Sequence, residues 1–196
     1  MGQIVEEPVT APATEPVTAA EAKAHMRVSI SDDDTLIDGL VAAARQWVED
    51  WCGIAIITQT WKQRRDSFPE SDGTIELGRT PLQSVTHVKY VDTDGVEQTV
   101  NADDYVVDTD TRKGNVDVAY DATWPTARSQ LNAVYTTYVA GFGAAAAVPE
   151  PIKLAIKMLA AHWYEHRETV VVGTIATSLQ FAIESILTPW KRTEQA

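Results

Sequence analysis

The segment HWYEH, from His162 to His166, holds the residues whose types and spacing come nearest to chemistry. Read as H-x-x-E-H, it is the inverted zinc-peptidase pattern. On a helix His162 and His166 share a face, and Glu165 lies beside them where a general base would be needed. Hydrolysis on zinc asks for three protein ligands and an open position for water. Beyond His166 the carboxylates are Glu168, Glu184 and Glu194, and Glu184, on a separate predicted helix, is the candidate third ligand. The other histidines, His25 and His87, show no ligand spacing. The pair also has a packing explanation. Ile152, Ile156, Leu159 and Trp163 repeat at helical spacing, and both histidines fall in or beside that stripe, near a helix end where imidazole meets late carbonyls. The expectation is therefore packing, with no catalytic residue, cofactor or metal. A zinc-dependent hydrolase using His162, His166 and Glu184 stands as the alternative.

Other constellations carry less. Asp32, Asp33 and Asp34 lack the glycine and terminal glutamate of a calcium loop and read as a helix start, where free N–H groups favour negative charge. The acidic loop 108–117 has no ligand pattern either. GFG lacks the lysine of a phosphate loop, and no serine sits in a G-x-S-x-G elbow. Cys52, the single cysteine, falls at a helix C-terminal end, which does not activate a thiol. In an alternating strand, Lys62 and Arg64 point one way while Arg65 and Trp61 point the other. That patch is too small for a nucleic-acid platform and suits an acidic partner, a neighbouring subunit or a solvated face.

The elements that must position these residues come in three blocks. The 196 residues fit one domain or one domain with an insertion, and 44% hydrophobic content is enough for a real core. Residues 1–16 are rich in Pro, Ala and Glu and predict a flexible segment. Helices are expected over 18–52: a short one opened by Thr18 with Glu21 three places on, and a second from the aspartates to Gly53. On the second, Leu36, Leu40, Ala43, Ala44, Trp47 and Trp51 gather on one broad face, and Arg45 and Glu49 can pair. Residues 54–140 change period and read as five to seven strands, with Asp94-Gly95 as a hairpin turn and two short strands around Gly114. Helices return over 151–168 and 178–188, the second capped by Thr177 or Ser178 and stopped by Pro189, and 191–196 read as a flexible tail. The fold class is α+β: a small helical bundle of N- and C-terminal helices with a large inserted antiparallel β region, a single domain over 17–190.

Charge narrows the partners. The net charge is −12, with 23 acidic and 11 basic residues before position 150 and five of each after it. An acidic body does not grip phosphates, but it suits a wall past which DNA must slide. No apolar run approaches the roughly 18 residues of a membrane span, and the first residues do not resemble a signal peptide.

The layout as a whole resembles the head–tail adaptor, or connector, proteins of long-tailed phages, with relatives in prophages and gene-transfer particles. PVTAAEAKAHMRV and DDDTLIDGLVAAARQWVEDWCGIAIITQTW resemble that family's opening helices and first strand. PLQSVTHVKYVDTDG and ADDYVVD resemble its middle region, and VYTTYVAGFG with VPEPIKLAIKMLAAHWYEHRETVVVG its closing strand and helix. The likeness spans about residues 16–190. It implies a structural virion protein of the neck, assembled in a bacterial cytoplasm. It implies a ring of twelve copies beneath the portal protein, extending the channel for double-stranded DNA without specific binding, and docking a stopper or tail-completion protein; another neck or tail-completion role is the nearest alternative. Portal contacts would fall on 151–168 and 178–196, with TVVVGTIA as a connector that lets the last helix reposition. The portal or subunit interface candidates are Tyr164, Arg167, Phe181, Ile186, Trp190, Lys191, Arg192, Lys62 and Arg64.

Overall fold

A computed structural model describes residues 4–70, 73–111, 113–166 and 176–192, the last of these with side chains from 181 onward. It bears out the α+β class: among the described residues there are four helices and two antiparallel sheets. The chain divides into two compact units, a β unit of residues 1–12 and 58–141 and a helical unit of residues 13–57 and 142–196. The sequence suggested one domain carrying a β insertion; that insertion is compact in its own right.

In the helical unit, α1 (Ala19–Met26) opens on the expected capping box. Thr18 Oγ1 accepts from the Glu21 N–H at 3.2 Å, and the Thr18 N–H donates to the Glu21 carboxylate at 2.8 Å. Helix α2 (Asp34–Cys52) ends at Gly53, whose φ of 68° is the left-handed cap a glycine takes without strain. Its buried ladder is Ile37, Val41, Ala44, Val48 and Cys52. The expected face is thus displaced by one position: Leu40, Trp47 and Trp51 flank the core, and Leu36 is exposed. Two apolar ladders overlap in this sequence. The one with the smaller side chains faces inward because α2 must approach both α1 and α3 (Glu150–Glu165), while Trp47 and Trp51 stack at the rim with ring centroids 6.2 Å apart. Helix α4 (Ala176–Leu187) packs on α3 through Ile183 and Leu187.

Arg45 and Glu49 do pair, but inside the unit rather than on a solvated side. Glu49 is buried, and its Oε1 accepts the Ile56 N–H at 2.8 Å, while Arg45 Nε reaches Glu15 at 2.8 Å. One buried carboxylate therefore joins the chain before α1, the middle of α2 and the exit after it.

In the β unit, a five-stranded sheet runs β1-β2-β8-β4-β5 and a three-stranded sheet runs β3-β7-β6, all antiparallel. The strands are β1 (Val5–Thr10), β2 (Gln59–Arg65), β3 (Ile75–Glu76), β4 (Leu82–Val91), β5 (Glu97–Thr99), β6 (Tyr105–Asp108), β7 (Asn115–Val118) and β8 (Val134–Ala140). Trp61, Val88, Val134 and Tyr138 of the large sheet are buried, as are Ile75, Leu77 and Val116 of and beside the small one. The expected turn at Asp94-Gly95 closes β4 on β5, with Asp92 accepting the Asp94 and Val96 N–H groups.

Flexibility over 1–16 is corrected at Val5–Thr10, which forms an edge strand on β2. Pro8 sits within it, as an edge allows. The strand is keyed by Glu6, whose Oε1 accepts from Tyr138 Oη at 3.0 Å and Gln63 Nε2 at 3.3 Å. Its carboxylate lies against Gly78, where a Cβ would stand 1.9 Å from Oε1. Burial and the neighbouring Glu6 push the Tyr138 phenol well above its ordinary pKa, so it remains a donor.

The chain after α4 is held at the end of α2, and of the expected flexible tail, 191–196, residues 193–196 lie outside the described residues. Thr188–Trp190 forms a 3-10 turn, the Arg192 N–H donates to the Cys52 carbonyl at 2.7 Å, and the Lys191 ammonium sits 4.7 Å over the Trp51 ring. Helix α2 has no basic residue in its last turn, and the end of the chain brings two to it.

Candidate functional site

The HWYEH segment forms the last turn of α3. His166 is the C-cap residue; its Nδ1 lies 3.1 Å from the His162 carbonyl oxygen, and the two rings are 4.5 Å apart. Among the described residues no group of three His, Cys, Asp or Glu side chains comes together to hold a metal. Glu184 is thus not gathered with His162 and His166 into such a group. The local spacing was permissive, but one imidazole is engaged in ending its own helix. Trp163 packs against the core as expected.

Tyr164 was named as an interface candidate. Its hydroxyl instead donates to Asp33 at 2.5 Å, and its ring packs on the core. Asp33 stands at the N-cap of α2 but makes no side-chain capping bond there. The acidic start of α2 therefore serves tertiary contacts: Asp33 takes Tyr164 and Asp34 takes the Lys23 ammonium at 2.5 Å.

The remaining candidates divide between surface and anchor. Phe181 is 74% exposed on α4, with Ile186 half-buried on the same helix. Trp190 meets the Phe142 ring edge-on at 5.8 Å. Lys191 and Arg192 line a cleft of about 600 Å³ with Asp50, Trp51, Cys52, Gly53 and Thr188. Burial pushes the Cys52 thiol up to about 12, so it is protonated and inert beneath that cleft. Arg167, the Thr177 and Ser178 side chains, and the TVVVG of the expected connector lie outside the described residues.

Lys62 and Arg64 share one face of β2, as alternation predicted. Arg64 pairs with Glu7 at 2.6 Å, and the Lys62 ammonium lies 4.1 Å over the Tyr135 ring. Sequence reasoning missed the neighbours on β8 and β4. His87 meets Tyr135 edge-on at 6.2 Å, Lys89 pairs with Glu97 at 2.7 Å, and the Tyr135 hydroxyl donates to Glu97. Alternation put each residue on a face, but nothing in the sequence fixed which strands were adjacent. Burial first, then Lys89 and Lys62, hold the His87 pKa below its ordinary value.

What the fold gathers, then, is a set of faces and anchored segments on a two-unit α+β scaffold. Residues 16–192 match the head completion protein family, and the chain belongs to that family of virion structural proteins. No curated protein sequence matches it. Among solved structures, it is similar to a chain of the virion of a native gene transfer agent particle, with a TM-score of 0.80 and 23% identity over 97% of each chain. It is equally similar to a chain of the neck of an empty gene transfer agent particle computed with C6 symmetry (TM-score 0.81, 23% identity, 98% of this chain and 97% of that one). A third likeness is to the neck of the native particle computed with C12 symmetry (TM-score 0.79, 22% identity, 98% and 97%). These likenesses agree with the α+β fold described above.

Proposed function

We propose that this protein is the adaptor that completes a filled head: a ring of copies, twelve in number, docked beneath the portal protein and extending its DNA channel in the neck of a virion. The observation that carries the reading is the family match over residues 16–192, nearly the whole chain. The solved chains of similar fold come from virion necks described with C6 and C12 symmetry, which supports a ring. A closed ring satisfies head-to-tail surfaces without open polymerisation. The net charge of −12 suits a channel wall from which DNA is repelled rather than held.

In this reading Phe181, the exposed aromatic of α4, is the first contact with the portal. Trp190, Lys191 and Arg192 are held on Phe142, Trp51 and Cys52 of their own unit, so their use by the portal requires an exchange of partners. The opposite side of the ring receives a stopper or tail-completion protein.

Native mass spectrometry of the protein with its cognate portal tests this. About one copy bound per portal subunit, weakened by Phe181→Ala, is the expected result. A protein indifferent to portal but retained by tail tubes would instead make it a tail-completion component.

A further inference from the structure

The β unit carries opposite charge on its two outer faces. Across the large sheet, one rung runs Val5, Arg64, Tyr135, Lys89, Thr99, and the next runs Glu7, Lys62, Thr137, His87. Residues directly opposite on paired strands project to the same side. These rungs therefore form one face, and the buried Trp61, Gln63, Thr136 and Tyr138 form the other. The small sheet covers that buried face: Gly114 abuts the buried Leu82, and Gln63 Nε2 donates to the Glu76 carbonyl at 2.9 Å. The central side chains of the first face remain half-exposed.

The chain segments of this unit hold 15 acidic and 8 basic side chains, a net of −7. Against that background Lys62, Arg64 and Lys89 cluster around Tyr135. Their internal carboxylates, Glu7 and Glu97, are about half exposed and held in surface ion pairs, which are weak and exchangeable. The Lys62 ammonium lies over the ring of Tyr135. The far side of the unit is the reverse. Val116 faces the core, so Val106, Asp108 and Asp117 of the small sheet face out; Val106 is 57% exposed, and the exposed Asp103 and Asp104 stand at the start of β6.

We infer that these faces are a head-to-tail pair: the basic, tyrosine-centred face of one copy receives the acidic, valine-centred face of the next copy. One face has an aromatic centre with three cations against two exchangeable carboxylates, the other an exposed valine among carboxylates, so their prevailing charges are complementary. A contact between two different faces of identical chains propagates in one direction and closes only as a ring or runs on as a filament. The inference rests on the ring reading above and assigns its subunit contact.

Charge reversal tests it on the full-length protein. One variant reverses the basic face, Lys62→Glu with Lys89→Glu; another reverses the acidic face, Asp103→Lys with Asp104→Lys. Alone, each should self-associate about tenfold or more weakly than the native protein by sedimentation, with an unchanged far-ultraviolet spectrum. Mixed, they should recover native association, because every reversed face then meets a reversed partner. Carbodiimide coupling of light and heavy isotope-labelled chains should join Lys62 or Lys89 of one copy to Asp103, Asp104, Asp108 or Asp117 of another. Unchanged association, a loss that mixing does not restore, or absence of those cross-chain links overturns the assignment. So does retention of a DNA duplex that only the basic-face variant loses while association stays native. Portal loading is scored separately, so a protein that fails to load but still cross-links would sink the adaptor reading and leave this one standing.

Discussion

The Tyr164 hydroxyl and the Asp33 carboxylate meet at 2.5 Å, joining the last turn of α3 to the residue that starts α2. A hydrogen bond to a charged acceptor contributes more than a neutral one. Tyr164→Phe should therefore lower the stability of the helical unit by about 1.5–3 kcal/mol, read as a fall in urea midpoint at constant slope. A cost no greater than that of a surface substitution would show the contact to be incidental.

Removing Arg45 should be worse. It takes the Arg45 cation away from the buried Glu49 carboxylate, which also accepts the Ile56 N–H. Arg45→Ala is expected to cost about 3–5 kcal/mol, whereas replacing Arg45 and Glu49 together by Met and Leu should cost far less. Equal losses from the single and the double change would contradict that account.

Glu6 is the key of the first strand. Glu6→Ala should release Val5–Thr10 from β2, seen as loss of amide protection confined to that strand and to the Gln59–Arg65 edge beneath it. Gly78→Ala should have the same signature, because its methyl would occupy the space of the carboxylate. If protection is kept in both variants, the backbone ladder alone holds the strand.

His87 offers a test with a defined sign. Its pKa is lowered in the folded protein, so between that value and the ordinary one near 6.5 the unfolded chain binds more protons. The contribution of His87 to stability is full above that ordinary value and is lost as pH falls through the folded pKa. Nuclear magnetic resonance titration should place His87 below the exposed-histidine range. Lys89→Ala should move it only part of the way back, because burial is the larger cause. Full recovery on removing the lysine would reverse that order.

Cys52 reports on the end of the chain. Its thiol is buried and protonated, and the chain end is anchored to its carbonyl through Arg192. Truncation after Trp190 should raise its alkylation rate by about tenfold. An unchanged rate would mean that Lys191 and Arg192 do not cover it.

Where local chemistry decides structure, the sequence was readable. Thr18 with Glu21 announced a capping box, Gly53 a helix end and Asp94-Gly95 a hairpin, and each is present because the interacting groups lie within a few residues of one another. The first strand was not readable: Pro8 breaks its pattern, and what holds it is a tyrosine, a glutamine and a glycine far along the chain. The inward ladder of α2 was off by one position because two apolar ladders compete, and only the closeness of α1 and α3 decides between them. HWYEH is the converse case. Its spacing satisfies a motif, but a motif needs a third group delivered by tertiary structure, and among the described residues none arrives.

The order of strands in the large sheet sets a timetable for synthesis. β8, which lies between β2 and β4, is the last strand to leave the ribosome, and α3, on which α1, α2 and α4 pack, comes later still. A nascent chain therefore carries open strand edges and an unclosed helical core until nearly all of it has been translated. Folding of either unit must wait for long-range closure, which is slow. A chain interrupted before Val134 completes neither unit. Such a chain leaves bare the β2 and β4 edges that β8 would pair and the helix faces that α3 would cover, surfaces that make an incomplete chain prone to aggregate.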